Sequence, residues 1–302
     1  MKFSGQLGIL VYLATLTATG PAQIVNSSHF EVYSSNQNFS EQVNQILEEG
    51  YSKAAAYFQI DLSQKVQVFV TTDAAEFDSL VGPNLPDWSI ACAIPEQNLI
   101  VLKSPDRYHY RKELSEVLYH ELAHIFLGKA LGSLSLPLWM NEGLAVWFSE
   151  KWGWEEKILV ARAVLTGSIF PLGQIDSLDY FRASKAQLAY ALSFLAVSYL
   201  ETQYGQGAFL KLVNGYRAGQ DLNQAFLSTT GLDYLSFQKE FQGMVRKRYN
   251  WIAIFSDSIV LWTGLALLFV LLYFVKKVRT KKILQRWERE EKGLAPRNSD
   301  LY

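Results

Sequence analysis

The stretch IVLWTGLALLFVLLYFV, Ile259–Val275, runs for seventeen residues without a charge. In hydrocarbon every backbone polar group must find its partner within the protein, which leaves a helix as the structure open to a single segment of this kind. About 20 apolar residues span a bilayer as a helix, and roughly 17 is the lower limit. With the apolar residues just upstream, the predicted membrane helix covers 254–275. A buried core helix is the alternative, and the flank KKVRTKK that follows at once argues against it. Lys and Arg collect on the cytoplasmic side of a span, and residues 276–290 hold seven of them. Arg246, Lys247 and Arg248 on the opposite flank dilute this bias without reversing it. The expected topology places the bulk of the chain outside the cytoplasm and a tail, 276–302, inside.

The other terminal segment to set aside is MKFSGQLGILVYLATLTATGPAQ. A short positive start, an apolar run from Leu7 to Leu16 and small residues after it predict a signal peptide over 1–22, cut after Ala22. An uncleaved N-terminal anchor is the alternative. The tail carries nine Lys/Arg against four Asp/Glu, whereas the remainder carries 19 against 25. A mildly acidic body with a net charge of -1 for the whole chain argues against a nucleic-acid partner. The single cysteine, Cys92, excludes an intrachain disulfide. It reads as a small buried hydrophobe.

Between these segments, 23–250 is long enough for one globular domain with its own core. HFEVYSS (29–35) and KVQVFVTT (65–72) have the β-branched and aromatic content of strands. Val43, Ile46, Leu47 and Tyr51 recur at helical spacing between them, with Ser40 as the expected cap. ACAIPEQNLIVLKSP predicts a hairpin or a turn into an edge strand. From Ser104 onward the chain reads as helical. Ser104-Pro105-Asp106 has the chemistry of a helix start, and Gly128 that of a stop. A second helix is expected over 138–152, with others over 186–204, 206–217 and 233–249. The predicted class is α+β: a small N-terminal mixed sheet, a helical C-terminal half and one membrane helix.

Within the first of those helices stands HELAH, 120–124. Residues four apart on a helix lie roughly 40° apart around the axis, so His120 and His124 can point at one ion. Glu121 projects from nearly the same side, within reach of a water there. Two imidazoles and an adjacent carboxylate are the donor and base pattern of a zinc hydrolase. Such sites keep three protein ligands and one open position. Glu142, in WMNEGLA on the next helix, is the expected third ligand. A solvated helical carboxylate is its alternative, but Trp139, Met140, Leu144 and Trp147 around it make an unpaired charge costly. His29 and His109 read as surface residues.

HELAH followed by WMNEGLA resembles the gluzincin zinc metallopeptidases, and most closely their compact peptidase MA-like domain, over roughly 28–248. The resemblance implies one zinc ion held by His120, His124 and Glu142, with Glu121 as general base and a peptide or protein as substrate. Tyr190, at a matching offset before Leu200-Glu201 and Gly205, corresponds to the tyrosine that stabilises the oxyanion in related aminopeptidases. A tyrosine packed in the core is the alternative. The edge strand over 91–102 suits the way these enzymes bind extended peptides.

Three departures bear on the activity. The strand ACAIPEQNLI has no GxMEN-type motif to hold a free amine, so the resemblance implies an endopeptidase rather than an aminopeptidase. The spacing from His124 to Glu142 is one residue shorter than in those aminopeptidases. Where many relatives place an acid one turn after the glutamate ligand, this chain has Val146, and Glu150 is two turns on. The rival reading is a gluzincin-like membrane protein that binds zinc or a partner without turnover.

Overall fold

The computed structural model describes residues 23–82, 89–108, 110, 112–149, 152–176, 185–256 and 258–294. The expected signal peptide, His109 and Glu150 lie outside these. The α+β architecture is as anticipated: five strands and two helices alternate in the first third, and helices follow.

Strands β1 (Gln23–Asn26), β2 (Phe30–Ser34), β3 (Val66–Thr71), β4 (Ala91–Ile94) and β5 (Leu99–Lys103) form one mixed sheet in the order β1-β2-β3-β5-β4. β2, β3 and β5 run parallel, while β1 and β4 are antiparallel edges. Helix α1 (Gln37–Phe58) makes the crossover from β2 to β3, as a parallel pair requires. Alternation decides what each side chain meets. Val66, Val68, Val70, Ile100 and Leu102 enter the main core with the helices. Phe69, Leu99 and Val101 face the other side, where Phe77 of α2 (Ala74–Val81) covers them. The hairpin expected at Pro95–Asn98 is present as a 3-10 turn, with Asn98 left-handed at φ 48°, and β4 is the edge strand.

Several boundaries differ from expectation. α1 begins earlier, capped by Asn36, whose side chain accepts from the Phe39 N–H at 3.1 Å. Ser40 lies inside the helix, its hydroxyl donating to the Asn36 carbonyl. Ser104 does not start a helix: its N–H donates to the Thr71 carbonyl at 2.8 Å, extending the β3–β5 ladder, and the chain stays in turns there. The next helix, α3, spans Leu114–Leu131 and continues through Gly128 to end at Gly132. Gly128 is instead a packing residue. A Cβ there would stand 2.3 Å from the Pro95 Cβ, so its absence lets the turn after β4 rest on α3.

Then follow α4 (Leu138–Phe148), α5 (Trp154–Leu165), α6 (Leu172–Ile175), α7 (Ala186–Gln203), α8 (Ala208–Arg217), α9 (Leu222–Thr230) and α10 (Tyr234–Ser256). α4 stops at Phe148, short of the expected residue 152. α7 packs lengthwise on α4, and α10 on α5. Buried Glu201 of α7 accepts from the Gly207 and Phe209 N–H groups, at 2.6 and 3.0 Å, and so caps α8. It also accepts from the Tyr57 hydroxyl at 2.9 Å, tying α1 to α7. α11 (Ser258–Leu294) is the one helix among the described residues long and apolar enough to cross a membrane, and Leu261–Glu290 buries nothing against the domain.

Candidate metal centre

α3 lies between the sheet and α4, which fixes what each of its faces meets. Leu118, Leu122, Ile125 and Phe126 are buried in the core, and this places His120 and His124 on the face turned to α4 and β4. α4 returns across a loop from Gly132 to Pro137 and brings Glu142 opposite them. This return is what joins the three side chains, Glu142 being the third ligand expected from the sequence. His120 Nε2 and His124 Nε2 stand 3.2 Å apart. Glu142 Oε2 is 3.5 Å from the first and 3.9 Å from the second. All three side chains are less than a fifth exposed.

This donor set fits a tetrahedral cation. Two donors each about 2.0–2.1 Å from one zinc ion in tetrahedral geometry are separated by roughly 3.3 Å, close to the spacings found. His124 Nδ1 donates to Asn141 Oδ1 at 2.9 Å, which leaves its Nε2 lone pair turned toward the cluster. A cation between the donors reconciles that lone pair with the neighbouring imidazole nitrogen and the carboxylate. Burial pushes the Glu142 carboxyl up, but the hydrogen bond from His120 and the positive fields of His124, His120 and Lys112 together hold it below the ordinary range. The lowered value favours the carboxylate form, which is the form that could hold a metal.

Glu121 is 8 % exposed and follows His120 directly on α3. Tyr190, on α7, is partly buried against the core. Its phenol is driven well above the ordinary tyrosine range, first by burial and then by the negative fields of Glu142 and Glu121. It is therefore a protonated donor within electrostatic reach of both carboxylates. Cys92, on β4, is only partly buried, against Phe69, Phe77, Leu99 and Val101. Its thiol is pushed up to about 12 by burial and then by Glu121 and Glu142, so the edge strand also borders the cluster. His29 stands apart, paired with Glu48 at 2.6 Å and stacked on Tyr51.

Two neighbours of Glu142 were not anticipated. Asn141 supplies the orienting hydrogen bond for which an acid at position 146 was sought. Its sequence signal is a polar residue beside the ligand in an otherwise apolar helix. Gly143 sets the spacing of α4 and α7: a Cβ there would lie 2.5 Å from the Ser193 carbonyl oxygen. Bare backbone at that point lets α7 carry Tyr190 close to Glu142.

A comparison with curated proteins finds no match. The sequence profile of the peptidase MA superfamily matches residues 24–247, which takes in all of the sheet but Gln23, together with His120, His124, Glu142 and Tyr190. Most of the chain is covered, and the donor cluster lies inside the matched region. The chain thus belongs to the peptidase MA superfamily, with a gluzincin-like domain.

Proposed function

We propose that the protein is a membrane-anchored, zinc-dependent metallopeptidase, an endopeptidase whose catalytic domain works outside the cytoplasm. The observation that carries this is the convergence of His120, His124 and Glu142 to donor spacings that suit one zinc ion, with Glu121 beside them. On this reading 1–22 is a signal peptide, 23–250 the peptidase domain, 254–275 the membrane span and 276–302 a cytoplasmic tail. Bound zinc would supply Lewis acidity.

The chain's own residues do the rest. Among the described residues no strand pairs with the outer edge of β4, which can therefore take up an extended peptide. Glu121 takes a proton from the attacking water and returns it to the leaving amine nitrogen. Tyr190 donates to the scissile carbonyl oxygen as negative charge develops there. Asn141 keeps His124 in the tautomer that offers Nε2. β4 carries no glutamate to receive a substrate's free amine, which favours internal cleavage.

The test uses the full chain in detergent, incubated with a diverse peptide library and read by mass spectrometry, with Glu121→Gln in parallel. Cleavage by the wild type alone is expected. Equal cleavage by Glu121→Gln would falsify the assigned base. One zinc per chain with no cleavage by either protein would favour a binding protein that does not turn over.

A further inference from the structure

The domain has a distinct foot where α10 leaves it. Tyr249, near the end of α10, is buried, at 2 % exposed. It accepts a hydrogen bond from Trp152, just ahead of α5. Trp152 stacks on Phe194 with ring centroids 4.4 Å apart. Phe194 in turn lines an aromatic depression of about 420 Å³ with Tyr57, Trp147, Phe148 and Lys53 at its edge. Two residues beyond Trp152, Trp154 is 67 % exposed, and the Lys157 ammonium sits 5.0 Å over its ring. On α10, Arg246, Lys247 and Arg248 are all exposed immediately before Tyr249.

A solvated tryptophan costs solubility unless something apolar meets it, and tryptophan with lysine or arginine is the chemistry of a membrane interface. Six residues separate Arg248 from residue 254, where the span is read to begin, which is roughly 9 Å of helix. Charge points the same way. Among the described residues, four cations stand here against Glu155 and Glu156, and the Glu156 carboxylate is engaged in accepting from the Gly153 N–H at 2.9 Å. We propose that Trp154 and Lys157, with Arg246, Lys247 and Arg248, form a docking surface for a bilayer containing anionic phospholipid. The inference rests on the membrane-anchored reading above. It adds that the domain lies on the membrane rather than hanging free from its anchor. Glu142 is six residues from Phe148 at the rim of the depression, roughly 9 Å along α4.

The test places the full chain in nanodiscs whose lipids carry brominated acyl chains, with or without phosphatidylglycerol. The emission of Trp154 is isolated as the difference between wild type and Trp154→Phe, which removes the constant contribution of the other tryptophans. Each cation near an anionic surface is worth roughly a fivefold change in surface partitioning. The expected result is bromine quenching of Trp154 in anionic discs, with the docking equilibrium weakened about fivefold by Lys157→Gln. Unquenched Trp154 in a properly inserted chain overturns the docking surface and leaves the anchor standing. Dimers in detergent that bury Trp154, with no quenching in discs, overturn it in favour of self-association. Release of the full chain from vesicles by alkaline carbonate overturns the anchor and the docking together.

Discussion

Asn141 shows how a single residue can orient a donor cluster that it does not join. Asn141 Oδ1 holds His124 Nδ1–H at 2.9 Å and thereby fixes which nitrogen faces Glu142. Residues in such an outer position commonly contribute about 10–100-fold to metal affinity. Asn141→Ala is expected to weaken zinc binding by about that factor, measured by competition with a chelating dye. Unchanged affinity would mean that packing alone orients His124. Tyr190→Phe keeps the ring and removes the donor. An oxyanion donor predicts a fall in kcat of about 100-fold or more with KM little changed. A tyrosine there only for packing predicts near-wild-type kcat. Both tests sit at the scale of one hydrogen bond.

Elements meet where side chains are missing. Gly143 puts α4 against the Ser193 carbonyl of α7, and Gly128 puts α3 against Pro95. A glycine inside a helix costs roughly 1 kcal/mol relative to alanine, so each has to be offset by the contact it permits. In Gly143→Ala the new methyl meets backbone 2.5 Å away, which no rotamer change relieves. Overpacking of this kind costs about 1–3 kcal/mol, so the propensity gain is lost and net destabilisation is expected in urea unfolding. Turnover should fall as well, because α7 carries Tyr190 outward with it. A variant as stable and active as wild type would show that the two helices separate freely. The boundaries of α1 and α3 teach a related lesson. Asn36 and Ser40 both have capping chemistry, and Ser104 has it too, but the ladder from β3 to Ser104 outcompetes a helix start there.

Across the molecule, partly buried tyrosines link stability to pH. Tyr57 is raised far above the ordinary range by burial and then by Glu201, and Tyr110 is raised by burial. A folded-state pKa above the unfolded value of about 10 favours the neutral phenol in the native state. Its stabilisation is fully present below about pH 10 and drains away as pH rises beyond that. The thermal midpoint should therefore fall steeply between about pH 10 and 12. Tyr57→Phe should make that fall shallower while lowering stability at neutral pH, because Glu201 loses one of its donors. A pH profile unchanged by Tyr57→Phe would exclude this phenol as a contributor.

What the sequence by itself determined is local or periodic. The 17-residue apolar run and its basic flank, the i and i+4 histidines of HELAH, and the hairpin around Pro95–Asn98 each depend on residues near in the chain. The α+β class followed from the same periodicities. What only the tertiary structure decided is which distant residues meet. Asn141 became an orienting partner, and Gly143 and Gly128 became contact points, because α3, α4, α7 and the turn after β4 converge. The identity of a contact partner far along the chain is set by the packing of whole elements, whose balance of burial against chain entropy no short window of sequence contains.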